Sequence, residues 1–280
     1  YYTGIGTDGS AGSQNVIYGN TISGSANNQG VFLGSISNTI DSNTIQNIQG
    51  SGINFNGSNA SGNVIVGNQI SNVDQIGINL TDETNWIESN NISNPGQYGI
   101  RVLYSGSTIS GNSIEGTNNF YLTSVENTQL VNNTAFGNTS GIGLNLNFAT
   151  ANAYGNRWEN HSTAIFIQGG LLVATQDTLS GNVNYDVNAS STSASSNAVF
   201  YNSVFTGGTM GTGDGYNYVW SYQHNQSVGL THLYGYYLAD ASGPLTFRYS
   251  DETYNGAGDS NTNKTLLIDG TIEIVAGSGL

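Results

Sequence analysis

Two short stretches of the sequence contain residue types that could remove a proton next to a carboxylate. They are LTDET, with Asp82 and Glu83, and IRVLY, with Arg101 and Tyr104. Such a reaction needs a base that takes the proton and a positive charge that stabilises the resulting anion, and Arg is a common choice for the second role. The same side chains are equally typical of solvated surface turns, which is the alternative interpretation.

Other catalytic patterns are missing from the sequence. It contains no Asp-Asp pair of the kind that hydrolases use, and its 3 His residues, at positions 161, 224 and 232, are isolated. No HExxH or similar metal spacing occurs. We therefore expect no catalytic residues, and we keep the set Arg101, Asp82, Glu83 and Tyr104 as the alternative.

Calcium is the one cofactor for which the sequence offers a candidate site. In DSNTN (259–263), oxygen-bearing side chains stand at alternate positions, namely Asp259, Asn261 and Asn263. This resembles the start of a calcium-binding loop, but no Glu closes the loop. The candidate is therefore weak, and no cofactor is required by the sequence.

Aromatic residues concentrate near the C-terminus and form the best candidate binding region. Tyr and Trp offer flat apolar faces with a polar edge, which suit sugar rings or another protein. The alternative is that some of them fill a core. The candidates are Tyr216, Tyr218, Trp220, Tyr222, Tyr234, Tyr236 and Tyr237.

A repeat of the form apolar-x-x-Asn-x-apolar runs through most of the chain and must position all of these groups. Its Asn position recurs every 21 to 25 residues. Such a period indicates a solenoid, because a unit of this length cannot bury its own apolar face. The nine copies have at this position Asn20, Asn43, Asn68, Asn90, Asn112, Asn133, Asn156, Asp177 and Asn202.

A second apolar segment lies between each pair of repeats, for example Val31–Leu33 and Ile53–Phe55. Each unit thus reads as a short strand, a tight turn, a short strand and a longer turn. Stacked units pair each strand with its equivalent in the next coil, about 4.8 Å away. The sequence therefore predicts an all-β parallel β-helix of about nine coils of about 22 residues.

The repeated Asn is expected to be structural. Asn tolerates the left-handed backbone conformation that a corner needs. Its amide can also bond the Asn residues of the coils above and below, which forms a ladder.

The repeats VIYGNTI (16–22) and VIVGNQI (64–70) resemble the β-helix repeat of the pectate-lyase-like superfamily. The resemblance covers residues 15–205 and implies a right-handed helix. It leaves the activity open, because members of that superfamily include polysaccharide lyases, hydrolases, epimerases, surface adhesins and phage tailspikes.

The composition changes near residue 205, and this predicts two regions. Residues 1–205 form the parallel β-helix. Residues 206–280 lack the repeat, contain about half of the 17 Tyr, and are predicted to form a β-rich region that caps, flanks or extends the helix, or joins it to another subunit.

Charge limits the range of partners. The chain has 18 acidic and 4 basic residues, a net charge of −14, which argues against nucleic acid and anionic lipid as partners. No apolar run is long enough to enter a membrane, and with no Cys there can be no disulfide. We expect self-association, other surface proteins or a polysaccharide as partners.

These features favour an extracellular structural protein of the cell surface, such as an adhesin or a subunit of a filament, sheath or surface layer. One alternative is a polysaccharide lyase or C-5 epimerase that acts on a uronic-acid polymer. A second is a phage tailspike-like receptor-binding protein, for which a trimer is expected.

Overall fold

The computed structural model shows a stack of short β-strands wound into turns. Helices are absent from the residues that it describes, and so is any segment that could cross a membrane as a helix. The structure describes residues 3–6, 13–24, 29–55, 60–81, 84–104, 106–189, 196–201, 203–206, 209–212, 218–222, 226–228 and 232–233.

Each turn places its strands on three faces, which we call faces 1, 2 and 3 in chain order. Face 1 contains β1 (Ile5–Gly6), β4 (Val31–Leu33), β7 (Ile53–Phe55), β10 (Ile76–Leu80), β13 (Tyr98–Leu103), β16 (Phe120–Thr123), β23 (Tyr185–Ala189), β26 (Thr209–Thr212) and β29 (His232–Leu233). Face 2 contains β2 (Val16–Tyr18), β5 (Thr39–Asp41), β8 (Val64–Val66), β11 (Trp86–Glu88), β14 (Thr108–Ser110), β17 (Thr128–Val131), β24 (Ser196–Tyr201) and β27 (Tyr218–Tyr222).

Two long strands, β19 (Ile142–Tyr154) and β21 (Thr163–Thr175), bend from face 1 into face 2 and join both into one 19-stranded sheet. Face 3 is a separate 10-stranded sheet. It contains β3 (Thr21–Ser23), β6 (Thr44–Ile48), β9 (Gln69–Val73), β12 (Asn91–Pro95), β15 (Ser113–Glu115), β18 (Thr134–Phe136), β20 (Arg157–Glu159), β22 (Thr178–Ser180), β25 (Val204–Thr206) and β28 (Gln226–Val228).

The strand pairing confirms the predicted all-β parallel β-helix. Neighbouring strands within a face are parallel and keep one register, so Ile65 pairs with Ile40 of the preceding turn and with Ile87 of the following one. The prediction of two strands in each unit is wrong, because each turn contributes a third strand. The apolar segment between the repeats is a strand, as predicted, and forms face 1. The extra strand arises because the repeat itself forms two strands, one on face 2 before the Asn and one on face 3 after it.

The core consists of columns of inward-facing, mostly aliphatic side chains, and each face contributes one or two of them per turn. On face 3 the column runs through Ile70, Ile92 and Ile114, all with at most 1% of their surface exposed. It then changes to Ala135 followed by Trp158, which pair in register. Trp158 is fully buried and meets Phe120 of face 1 edge to face at a centroid distance of 5.5 Å, so a small and a large residue together maintain the packing.

Glycine is required where face 1 begins. A Cβ at Gly77 would lie 2.5 Å from the carbonyl oxygen of Gly99 and 2.7 Å from Cγ2 of Ile92. Gly52, one turn earlier, is equally confined by Ile70. The isoleucines of face 3 therefore pack directly against the backbone of face 1.

The repeated Asn residues form one buried ladder between faces 2 and 3, which we call the inner Asn ladder. Asn43 shows the pattern: its backbone N–H and its side-chain NH2 both donate to Oδ1 of Asn68, at 2.9 and 3.0 Å. The NH2 group also donates to the carbonyl of Ile17. The same bonds recur from Asn20 to Asn156, and Asp177 accepts two bonds from Asn156. The backbone N–H of Asp177 in turn donates to Oγ of Ser203 at 3.3 Å, so the next ladder position is Ser203 rather than the predicted Asn202.

The conformational reason that the sequence indicated for these Asn residues is wrong. The residue before each ladder Asn, such as Ser42 or Gly67, has the positive φ, and the ladder Asn itself does not. The glycine or serine thus makes the corner, and the Asn turns its amide inward to bond the next turn. Left-handed Asn residues occur instead near the ends of the face 3 strands, at the exposed positions 47, 72 and 94, and at position 132, directly before the ladder residue Asn133.

A second buried ladder, which the repeat did not reveal, lies between faces 1 and 2. It begins at Asn15, continues through Asn38 and Asn63, and reaches Asn85. Asn15, Asn38 and Asn63 each bond Oδ1 of the next member through the backbone N–H and the side-chain NH2, at 2.8 to 3.0 Å. Two of the three corners are therefore held by amide ladders.

Beyond residue 205 the described backbone continues the parallel pairing as far as β29. Three of the aromatic candidates, Tyr218, Trp220 and Tyr222, lie on β27, where the backbone of Trp220 pairs with Val199. The other four, Tyr216, Tyr234, Tyr236 and Tyr237, lie outside the described residues. The division of the chain at residue 205 stays a prediction.

Candidate functional site

The outward-facing side chains at the middle of face 1 form a row along the helix axis. The strand register aligns Asn54, Asn79, Arg101, Tyr121 and Asn145 on successive turns. Outward positions of a sheet usually face solvent, yet only 8% of Asn54 and 6% of Asn79 is exposed. Polar groups are thus held close together in a sheltered part of the surface.

Arg101 is the centre of this row. Its Nε donates to Oδ1 of Asn79 at 2.7 Å, and the Nδ2 of Asn79 donates to Oδ1 of Asn54, also at 2.7 Å. Burial lowers the pKa of Arg101 from its usual value, and the nearby Tyr98 and Tyr121 act in the opposite direction. A guanidinium remains charged after a moderate shift of this kind, so the site presents a partly desolvated positive charge.

Two tyrosines flank the guanidinium. The rings of Tyr98 and Tyr121 stack with centroids 4.8 Å apart and planes inclined by 23°. The hydroxyl of Tyr121 accepts a bond of 3.2 Å from Nδ2 of Asn147. Burial, and secondly the proximity of Tyr121, raise the pKa of Tyr98. Tyr98 is therefore protonated at neutral pH and is a hydrogen-bond donor rather than a base.

The charge of Arg101 is not used in an ion pair with any acidic residue that the structure describes. The second described cation, Arg157 on face 3, lies 2.6 Å from Glu159 and has 59% of its side chain exposed. Pairs of this exposed kind contribute little to stability. Of the two described cations, Arg101 is the one available for an anionic ligand.

The structure describes only two residues of the alternative catalytic set, Arg101 and Tyr104. Asp82 and Glu83 lie outside the described residues. Tyr104 follows β13, has a φ of +72° and is 68% exposed, and among the described contacts it has none with Arg101. Arg101 alone of that set stands at the centre of the site, so the set stays a prediction.

The weak calcium candidates Asp259, Asn261 and Asn263 also lie outside the described residues. Among the residues that are described, no cluster of three or more His, Asp or Glu side chains could hold a metal ion. Calcium therefore stays a prediction that rests on the sequence alone.

The residues that contact Arg101 were not predicted from the sequence. Asn54 and Asn79 were visible as the central residues of INF and INL, and Tyr121 as that of FYL. Alignment of these triplets would have placed all three next to Arg101, because equivalent strands stack in register. Tyr98 was not visible in this way, since its contact with Tyr121 joins different positions of neighbouring strands.

Two buried groups with shifted pKa values lie inside the helix and not at this site. Burial lowers the pKa of His161 to about 4, partly offset by a hydrogen bond with Asn182, and Nε2 of the ring lies 2.8 Å from Oδ1 of Asn119. Burial raises the pKa of Asp177 to about 6, although Trp158 and Asn156 donate hydrogen bonds to its carboxylate. Both groups affect stability rather than ligand binding.

Comparison with known proteins agrees with this architecture. The structure is similar to that of the Azotobacter vinelandii mannuronan C-5 epimerase AlgE4 A-module, with a TM-score of 0.56 and 11% sequence identity over 81% of this chain and 76% of that one. At this identity the similarity concerns the fold. No curated protein matches the sequence. The family model described as "Right handed beta helix region" matches residues 56–205, more than half of the 280 residues. The chain therefore belongs to the right-handed β-helix family.

Proposed function

We propose that this protein is a β-helix of the cell surface that binds an acidic polysaccharide along the outer side of face 1. The observation that carries the proposal is Arg101, a sheltered cation whose terminal NH2 groups have no partner among the described residues. Arg and carboxylate form strong charge-assisted hydrogen bonds, and partial burial strengthens them. A uronic-acid polymer supplies such carboxylates at regular intervals.

The adjacent tyrosines support a sugar as the ligand. Tyr98 and Tyr121 present a stacked aromatic pair beside Arg101, and aromatic rings with a hydroxyl edge suit the apolar faces and polar rims of sugar rings. Because the row Asn54–Asn79–Arg101–Tyr121–Asn145 follows the helix axis, an extended chain would lie along that axis. The rod shape leaves the other two faces free for the structural role and the self-association that the sequence favours.

The decisive variant is Arg101→Ala, with Arg157→Ala as its matched control. Titration calorimetry with a hexameric oligouronate should give an affinity at least about tenfold weaker for Arg101→Ala, since a charge-assisted contact is lost. Arg157→Ala should bind like the wild type, because Arg157 lies on face 3. Equal binding by wild type and Arg101→Ala, or no binding by the wild type, would contradict the proposal.

The salt dependence offers an independent check. With a net charge of −14 the protein repels a polyanion at long range. Salt screens this repulsion more than it screens the partly buried contact at Arg101. The affinity at 150 mM salt should therefore be equal to or higher than that at 20 mM, which is the reverse of the behaviour of a basic polyanion-binding protein.

A second candidate is catalysis on the same polymer, as a lyase or C-5 epimerase. Two observations favour it: Arg101 could stabilise an anion next to a carboxylate, and the structurally similar AlgE4 A-module is named as a mannuronan C-5 epimerase. Ultraviolet absorbance of a new double bond would reveal a lyase, and proton NMR of the polymer would reveal epimerisation. Either activity must disappear in Arg101→Ala.

A further inference from the structure

The hydrogen bonds behind Arg101 have a fixed direction. A guanidinium can only donate, so Asn79 must turn its oxygen towards Nε of Arg101, at 2.7 Å. The NH2 group of Asn79 then points to the preceding turn, where Oδ1 of Asn54 accepts from it, also at 2.7 Å. The two amides thus form a short relay that ends at Arg101.

We infer that Asn79, supported by Asn54, is a positioning residue that aims the terminal edge of Arg101 outward for end-on binding of a planar carboxylate. This inference rests on the proposed function, which it deepens. Because Asn79 occupies Nε, the side-on edge formed by Nε and one NH2 group is engaged. The remaining edge, formed by the two terminal NH2 groups, matches the two oxygens of a carboxylate.

The burial of the relay is consistent with positioning rather than direct contact. Asn54 and Asn79 are 8% and 6% exposed, so a ligand reaches them far less readily than it reaches Arg101. The amide at position 79 serves both neighbours, because it accepts through its oxygen and donates through its NH2 group. Asp would accept from Arg101 but could not donate to Asn54, and it would neutralise the guanidinium.

The orientation of Arg101 can be tested without a ligand. The sequence contains only 3 Arg residues, so selective 15N labelling of arginine gives a spectrum with few Nε–H signals. In the wild type we expect the Nε–H of Arg101 to exchange with solvent at least about tenfold more slowly than that of the exposed Arg157. Asn79→Ala should remove this protection, whereas Asn79→Asp, which is nearly isosteric, should retain it.

Binding of the hexameric oligouronate then separates positioning from structure. Asn79→Ala should bind at least about fivefold more weakly than the wild type although Arg101 is present. Asn79→Asp should lose at least about tenfold, because its carboxylate competes with the ligand for Arg101. Asn152→Ala, a change of an exposed residue on face 2, is the control and should leave affinity and exchange unchanged.

The two measurements can fail separately. If the wild type binds no oligouronate but the exchange pattern is as expected, the proposed function fails while the orientation of Arg101 by Asn79 stands. If Asn79→Ala keeps both the slow exchange and the affinity, the inference is overturned. Equal affinity for a sulfated hexasaccharide would overturn the preference for a planar carboxylate, and a carboxyl-reduced hexamer should not bind.

Discussion

Asn90→Ala is expected to be among the most destabilising single substitutions in this protein, with a loss of about 3–5 kcal/mol in the free energy of unfolding. Asn90 lies in the middle of the inner Asn ladder and is 1% exposed. Its Oδ1 accepts two bonds from Asn68, and its Nδ2 donates to Oδ1 of Asn112 and to the carbonyl of Ile65. Alanine would leave several of these groups buried and without a partner, and each costs about 1–3 kcal/mol.

Two matched variants control for the loss of an Asn side chain as such. Asn20→Ala removes the first described member of the same ladder, which is only partly buried and bonds Tyr18 and Asn43, so about 1 kcal/mol should be lost. Asn91→Ala removes an exposed side chain of β12, and its effect should stay within about 0.5 kcal/mol. Urea unfolding followed by circular dichroism gives the three values. If Asn90→Ala were no worse than Asn20→Ala, the ladder would not be a main source of stability.

Asp177 and His161 should together contribute almost no net pH dependence of stability between pH 4 and pH 6.5, because the two buried groups act in opposite directions. The folded pKa of Asp177 is about 6, above its ordinary value of 3.8, so the folded state binds this proton more tightly and stability falls as the pH rises from about 4 to 6. A shift of this size corresponds to about 3 kcal/mol.

His161 contributes the opposite slope. Its folded pKa of about 4 lies below the ordinary 6.5, so the folded state binds this proton more weakly, and stability rises as the pH increases from about 4 to 6.5. This shift also corresponds to about 3 kcal/mol. The two contributions therefore nearly cancel within the same range of pH.

Single substitutions should reveal each slope. Asp177→Asn should leave a protein whose stability, relative to that of the wild type, increases by about 3 kcal/mol from pH 4 to pH 6.5, and His161→Gln one whose relative stability decreases by a similar amount. Asp177→Asn should also lower the stability at every pH. One carboxylate oxygen is replaced by an NH2 group, which cannot accept a hydrogen bond, so either Asn156 or Nε1 of Trp158 loses its acceptor. The slope rather than the absolute stability is thus the test.

Urea unfolding at several pH values measures these slopes, and the double variant serves as the control because its curve should again run parallel to that of the wild type. Single variants whose curves also stay parallel to that of the wild type would show that these two groups do not titrate with the shifts described. Asp177 bonds Trp158 directly, and Trp158 also replaces the aliphatic residue that occupies its core position in most turns. The regular pattern of the core is therefore interrupted in this part of the helix.

The sequence was sufficient for the fold because each turn repeats the same local pattern. The two apolar positions of each repeat, represented by Ile65 and Ile70, point into the helix. A unit of about 22 residues can bury these side chains only when it stacks on its neighbours. The number of strands in each turn was underestimated, because the repeat was taken as one strand. It forms two, such as Val64–Val66 and Gln69–Val73, with the chain turning just before the ladder Asn. The conformational role of the ladder Asn was misjudged because a sequence does not show which residue of a Gly-Asn pair makes the corner.

The candidate site was predicted only through Arg101. Its chemistry was readable from the residue type, because an isolated Arg in an acidic, charge-poor chain invites an anionic partner. Its neighbours were not readable, since Asn79 and Tyr121 are 22 and 20 positions away in the chain and meet Arg101 only through the strand register.

What the sequence alone determined is therefore the solenoid, its period, the Asn positions of the inner Asn ladder and the scarcity of basic residues and absence of Cys, all of which depend on composition and local spacing. The tertiary structure decided which outward side chains share one row, that Asn54 and Asn79 are buried despite facing outward, and that Asp177 and His161 are buried with opposite pKa shifts. These properties depend on contacts between successive turns. In a solenoid these contacts are set by the register in which successive turns stack. The lengths of the turns control this register, so it cannot be read from one turn alone.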